Sequence, residues 1–136
     1  MCENSIYTRG MCGGQPHCLL VIDDSPDIRR AVRRLFETRE GWQACYEAID
    51  GRDGIEKAKE HRPCAIILDM SMPQMDGLET AQELRVLMPA TPLFMFTNFS
   101  DDQFLTQEVM KVGIRKVVSK SDASGLVAAI ESILAA

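Results

Sequence analysis

Five side chains in this sequence have the types to do chemistry together: Asp23, Asp24, Asp69, Thr97 and Lys120. Each stands at the end of a stretch of strand length. Asp23 and Asp24 close the stretch CLLVIDDSP, Asp69 follows CAIIL, Thr97 ends PLFMFT, and Lys120 follows the run 115–119. Two adjacent carboxylates repel each other, and a metal ion, a lysine or the start of the next helix would relieve them. An oxygen-rich, acidic and compact site suits a hard cation such as Mg²⁺, which is usually held by one or two carboxylates while keeping several waters. A further carboxylate can attack a phosphoryl group and form an aspartyl-phosphate. The metal and Lys120 would neutralise the phosphoryl oxygens, and Thr97 could hydrogen-bond one of them. The set therefore fits phosphoryl transfer to Asp69.

Taken one at a time, these residues have plainer readings. An Asp after a strand often only caps a helix, a Thr at a strand end is common, and a Lys there is usually solvated. What joins them is the architecture that must position them. Apolar runs of strand length alternate with stretches of helical period from residue 18 onward, which is the signature of βαβ units and a parallel sheet. The strands fall at 18–22, 43–48, 64–68, 92–97 and 115–119. The first helix takes Ser25 as N-cap and Pro26 at its first position, with Ile28, Val32, Leu35 and Phe36 as its buried stripe. The second and third helices open with the capping boxes Asp53-x-x-Glu56 and Asp76-x-x-Glu79, and the fourth with Ser100-x-x-Gln103. The fifth runs from about Asp122, with Leu126, Ile130, Ile133 and Leu134 on one face. Five such units with short connections predict an α/β, doubly wound, five-stranded parallel sheet flanked by five helices. In open sheets of this kind the site lies outside the carboxyl ends of the strands, where all five residues stand.

The bulk composition agrees with this. A chain of 136 residues is one domain, and 46% hydrophobic with 26% charged residues is an ordinary globular balance. No apolar run has the length to span a bilayer. A net charge of −5 disfavours direct nucleic-acid binding, which rests on Lys and Arg neutralising phosphates. Of five cysteines, Cys18 and Cys64 open apolar runs and read as reduced core residues of a cytoplasmic protein. The group Cys12, His17 and Cys18 fits no standard zinc spacing. Residues 1–16 lack periodicity and read as a flexible leader, leaving 17–136 as the domain.

At this point the sequence resembles the receiver domains of two-component response regulators, in a single-domain form. The matching residues are LLVIDDSPDIRR, IILDMSMPQMDGLE around Asp69, the hydroxyl in LFMFTN and the Lys in KVVSKSD. The resemblance implies a flavodoxin-like fold with strand order 2-1-3-4-5 and Asp69 as phosphoacceptor. Asp24 would bind Mg²⁺ directly, Asp23 would act mainly through a metal-bound water, and the backbone carbonyl of Ser71 would complete the metal ligands. Thr97 and Lys120 would contact the phosphoryl group. The implied partners are a sensor histidine kinase or phosphotransfer protein and a downstream protein; the family can form homodimers through the fourth and fifth helices, and nothing in this sequence decides whether this chain does. Such a domain catalyses only its own modification and is not a turnover enzyme. A phosphohydrolase with an aspartyl nucleophile would need a second Asp two residues after Asp69, where Ser71 stands.

The sequence departs from the family pattern in three places. Val117 replaces the aromatic residue three positions before Lys120 that often turns inward on activation. Ser121 replaces the common Pro after Lys120. Asn98 follows Thr97 where a small residue is usual, and Phe99 follows it, which predicts slower phosphoryl turnover. These departures keep a second reading open, a receiver-like scaffold that binds its partner constitutively. The basic face of the first helix, Arg29, Arg30, Arg33 and Arg34, reads either as a solvated surface or as a docking surface for a kinase.

Overall fold

The computed structural model describes residues 11–12 and 15–135. Its elements run β1 (Met11–Cys12), β2 (Gln15–Ile22), α1 (Pro26–Glu37), β3 (Trp42–Ala48), α2 (Gly51–His61), β4 (Ala65–Leu68), α3 (Gly77–Leu87), β5 (Leu93–Thr97), α4 (Gln103–Lys111), β6 (Ile114–Ser119) and α5 (Ala123–Ala135). Strands β3, β2, β4, β5 and β6 pair in that order and all parallel. Counted without the two-residue β1, this is the predicted order 2-1-3-4-5. The addition is β1, which pairs antiparallel with the start of β2, Met11 opposite Pro16 and Cys12 opposite Gln15. The leader expected over 1–16 lies mostly outside the described residues.

The inner strands β4 and β5 are buried at every position because both faces of the sheet are covered. Along β2, Leu19 and Val21 join a core with Val32 and Phe36 of α1 and Leu126 and Ile130 of α5. The alternate residues Leu20 and Ile22 join a second core with Ile55 and Ala58 of α2, Ala81 and Leu84 of α3 and Val109 of α4. Each fully buried aliphatic side chain of this kind contributes about 1.5–3 kcal/mol relative to exposure. All four residues of β4 are buried. A strand enclosed in this way can end in a carboxylate only where the sheet stops.

Helix starts follow side-chain capping, with two corrections. Ser25 caps α1 by accepting from the Ile28 N–H, and Asp76 and Glu79 form the predicted reciprocal box at α3. The cap of α2 is Asp50 and not Asp53: Asp50 accepts from the Asp53 N–H, while the Asp53 side chain reaches back to the Ile49 N–H. At α4 the cap is Asp102, accepting from Leu105, and not Ser100. In both cases an Asp accepts from the N–H three residues on, which is the geometry of an N-cap. The cysteine expectation also needs correction, since Cys64 is disulfide-bonded. It sits half-buried just before β4, whereas Cys18 is a fully buried thiol. Cys45 is a free thiol, and burial first, then Glu47, push it up to about 12, so it stays protonated.

Candidate functional site

The carboxyl ends of β2, β4, β5 and β6 bring the five predicted residues to one edge. Each of Asp23, Asp24 and Asp69 offers a carboxylate oxygen within 4.8 Å of the others. Among the described residues this is the one group of His, Cys, Asp and Glu that could hold a metal ion, and His17 and Cys18 belong to no such group. Asp23 and Asp69 are buried, while Asp24 is exposed. The cluster thus opens to solvent on the Asp24 side, where an ion could enter and keep part of its water shell.

Lys120 crosses the sheet edge to bridge the two buried carboxylates. Its Nζ lies 2.9 Å from Asp23 Oδ2 and 3.2 Å from Asp69 Oδ1. Its backbone is fixed as well, since the Lys120 N–H donates to the Thr97 carbonyl at 3.0 Å. Burial alone would lower the ammonium's pKa, but Asp23 and Asp69 together outweigh it and hold it raised. Burial first, and the neighbouring Asp23 charge second, hold Asp69 above the ordinary carboxylate range, against the pull of Lys120 and of the Ser71 backbone N–H. A buried carboxylate destabilised as an anion is a stronger nucleophile toward phosphorus and also a site that gains from a bound cation. The all-oxygen donor set, with three carboxylates only partly offset by Lys120, fits a hard divalent cation.

Asp23 differs from Asp24 in how completely it is occupied. Its N–H donates to the Ala48 carbonyl at 3.1 Å, its carbonyl accepts from Arg29 Nη1 at 2.8 Å, its Oδ1 accepts from the Ser25 N–H at 2.9 Å, and its Oδ2 meets Lys120. With both carboxylate oxygens engaged, Asp23 is suited to act through a water, while the exposed Asp24 carboxylate is suited to bind an ion directly. Thr97 is buried at the end of β5, and its Oγ1 accepts from the Phe99 N–H at 3.2 Å. Its hydroxyl hydrogen therefore remains available to a phosphoryl oxygen.

The loop after Asp69 is held close by Gly77. A β-carbon on Gly77 would lie 2.3 Å from the Asp69 carbonyl oxygen and 2.7 Å from Met70 Cα, so only glycine lets α3 start there. The Gly77 N–H donates to the Met70 carbonyl at 2.8 Å and closes the loop, and Gln74 within it has φ of +68°. Ser71 is thereby placed beside the Asp69 carboxylate. Val117 packs partly buried against the core on the side of α2–α4, and Asn98 and Phe99 are both exposed.

Reading the sequence missed Arg29 and Glu47. The α1 arginines are not one uniform basic face. Arg29 is largely buried against Glu47 at 3.0 Å, and Arg33 shares the same carboxylate, while Arg30 pairs on the surface with Asp27 and Arg34 is exposed. The available signal was the spacing of Arg29 one turn beyond the cap Ser25, with the one charged residue of β3, Glu47, near the end of that strand.

Comparison with known proteins places this arrangement. Residues 19–131 match the family described as response regulator receiver domain. A protein-glutamate methylesterase/protein-glutamine glutaminase of Alkalilimnicola ehrlichii is 37% identical over 83 residues, which cover 61% of this chain and 21% of that protein. The chain thus spans about a fifth of that curated relative. Among solved structures, a two-component response regulator of the LuxR family from Aurantimonas sp. SI85-9A1 superposes with a TM-score of 0.80 at 30% identity, covering 89% of this chain and 86% of the other. Vibrio cholerae chemotaxis protein CheY4 superposes with a TM-score of 0.79 at 28% identity, covering 87% and 98%. The match runs through β2 to α5, the same units that carry the carboxylates, the hydroxyl and the lysine to one edge, and the chain belongs to the response regulator receiver domain family.

Proposed function

We propose that this receiver domain is switched by phosphorylation of Asp69, with a histidine kinase or phosphotransfer protein as donor and Mg²⁺ as cofactor, and that the modified form changes its affinity for a downstream protein. The observation that carries this reading is the Lys120 ammonium bridging buried Asp69 and Asp23, with the exposed Asp24 carboxylate alongside. An oxygen of Asp69 attacks phosphorus, the P–O bond forms, and the P–N bond of the donor phosphohistidine breaks with its electron pair returning to the imidazole. Asp24, Asp69 and the Ser71 carbonyl would hold the metal, with Asp23 acting through a water. When bound, the ion supplies positive charge to the phosphoryl oxygens. Lys120 would neutralise the same oxygens, and Thr97 would donate its hydroxyl hydrogen.

Switching follows from what Thr97 holds. Its oxygen accepts from the Phe99 N–H, so a shift of the hydroxyl toward a phosphoryl oxygen draws the 98–102 loop with it. Phe99 and Phe104, half or more exposed on and just beyond that loop, move as apolar surface that a partner can read. This route needs no inward-turning aromatic and is compatible with Val117.

The test is incubation with acetyl phosphate and Mg²⁺ followed by intact mass, beside Asp69→Asn and a metal-free sample. A Mg²⁺-dependent phosphoryl adduct that is absent in the variant supports the reading. No adduct under conditions that modify a known receiver, together with unchanged partner affinity in Asp69→Asn, replaces it with a constitutive scaffold.

A further inference from the structure

Resting on the Mg²⁺ reading above, we infer that Arg29 and Glu47 form a positioning strut that sets the peptide between the two adjacent aspartates, and so aims Asp24 at the metal. Three observations carry this. Arg29 Nη1 donates to the Asp23 carbonyl at 2.8 Å, and that carbonyl belongs to the peptide plane joining Asp23 to Asp24. Arg29 Nε donates to Glu47 Oε1 at 3.0 Å, with the Arg29 side chain only 13% exposed. Glu47 stands on β3 opposite Val21 of β2, two residues before Asp23, so the strut is anchored in the parallel sheet itself.

The need for a strut follows from the contrast between the two aspartates. Every polar atom of Asp23 has a partner, and Ser25, the cap of α1, is tied to its carboxylate. The Asp24 side chain is exposed and, among the described residues, makes no side-chain hydrogen bond or ion pair, so the backbone sets its direction. Rotation of the Asp23–Asp24 peptide would swing that carboxylate away from Asp69. A guanidinium fixed at two points by a carboxylate and a carbonyl resists the rotation, because its planar fork loses little freedom in making both bonds. Glu47 is itself steadied by Arg33 through its other oxygen, and its backbone carbonyl accepts from Lys57 at 2.7 Å.

The sign of the effect separates positioning from simple charge. Arg29 carries a positive charge beside a site for a divalent cation, so through-space electrostatics alone would make its removal tighten Mg²⁺ binding. Positioning makes removal weaken it. Groups that orient metal ligands from behind commonly change metal affinity by about 10- to 100-fold, and the lower end of that range suits a contact made through a carbonyl.

The experiment is titration calorimetry of wild type, Arg29→Met and Arg29→Lys with MgCl₂ alone, at a temperature where circular dichroism shows all three folded. The expected result is about tenfold weaker Mg²⁺ binding in Arg29→Met, with Arg29→Lys also weakened although its charge is retained. In acetyl phosphate kinetics, the Mg²⁺ concentration for half-maximal rate should rise more than the rate at saturating Mg²⁺ falls. Equal or tighter binding in Arg29→Met overturns the strut while leaving the metal reading intact. Should Arg29→Met be unfolded, wild-type affinity in Arg29→Lys overturns it as well. A wild type that binds no Mg²⁺ overturns the functional reading and this inference together.

Discussion

Replacing Lys120 by Met tests whether one ammonium holds the acidic edge together. Lys120 lies 2.9 Å from Asp23 and 3.2 Å from Asp69 and is 12% exposed. At an effective dielectric constant of about 20, each contact represents roughly 5 kcal/mol of gross attraction, against about 3.5 kcal/mol or more of repulsion between carboxylates 4.8 Å or less apart. Much of that attraction is offset by the several kcal/mol that desolvating each ion costs, and the carboxylates can bind a proton when the lysine is lost. Leaving buried charges unpartnered typically costs about 3–5 kcal/mol. Because a domain of this size has a stability of about 5–15 kcal/mol, Lys120→Met should be folded but visibly weakened at pH 7. The cost should also depend on pH. Asp69 already titrates above its ordinary range, and without Lys120 it rises further, so the penalty is full above that raised pKa and fades as pH falls through it. Mg²⁺, binding the folded form, should restore part of the loss. Urea unfolding at pH 7 and at pH 5, with and without MgCl₂, reads all three effects. A cost below about 1 kcal/mol at pH 7, the range of a surface ion pair, or the same cost at both pH values, would refute the reasoning.

Three further outcomes follow from the same geometry. Asp69→Asn should raise the unfolding midpoint at pH 7, since burial and Asp23 disfavour the ionised Asp69; the gain should shrink as pH falls into the ordinary carboxylate range, and a gain constant with pH would contradict the assigned cause. Gly77→Ala should cost about 1–3 kcal/mol by denaturant unfolding, because the added carbon meets the Asp69 carbonyl and Met70 Cα, which are backbone and cannot swing aside; it should also slow acetyl phosphate labelling of Asp69. Asn98→Ala and Phe99→Ala should shorten the lifetime of the phosphoryl adduct, measured by intact mass after donor removal, and an unchanged lifetime would remove any role for side-chain bulk beside Thr97.

Much of this architecture was legible because burial on both faces leaves a direct mark in the sequence. CLLVI and CAIIL can be apolar at every position only in strands covered on both sides, and the polar residue that ends each run must then stand at the sheet edge. The same logic found Asp23, Asp69 and Thr97 without any knowledge of pairing, whereas Lys120 follows the mixed strand IRKVVS and was placed by the alternation of strands and helices; the Asp76-Glu79 box marked α3 because both halves of the reciprocal bond are local. The helix starts at α2 and α4 were misread where several candidate caps crowd into one turn: Asp50 and Asp53 each find a backbone N–H, and only the packing of Ile55 and Ala58 against the sheet decides which begins the helix. The state of Cys64 was not legible for a related reason, since a thiol's pairing depends on what lies near it in space and not along the chain.

Arg29 shows where sequence reasoning stops. In a run of four arginines on one helix, nothing in the spacing distinguishes a solvated charge from one aimed at a carbonyl. What separates them is Glu47, eighteen positions later, delivered to the same place by the parallel pairing of β3 with β2. A partly buried carboxylate near the end of an edge strand is costly unless something cationic meets it, and Arg29 and Arg33 are the two α1 residues that pair with it, while Arg30 pairs on the surface with Asp27 and Arg34 is exposed. The kinase-docking reading of the basic face is therefore narrowed to Arg30 and Arg34, because recruiting Arg29 to a partner would break the contact that holds the Asp23–Asp24 peptide. Charge reversal at Arg30 and Arg34 should then slow phosphotransfer from a kinase in a salt-dependent way without altering Mg²⁺ affinity, whereas loss at Arg29 should alter Mg²⁺ affinity even with acetyl phosphate, where no kinase docks. A helix surface that looks uniform in sequence would in this way divide into an inward half serving the metal loop and an outward half serving recognition.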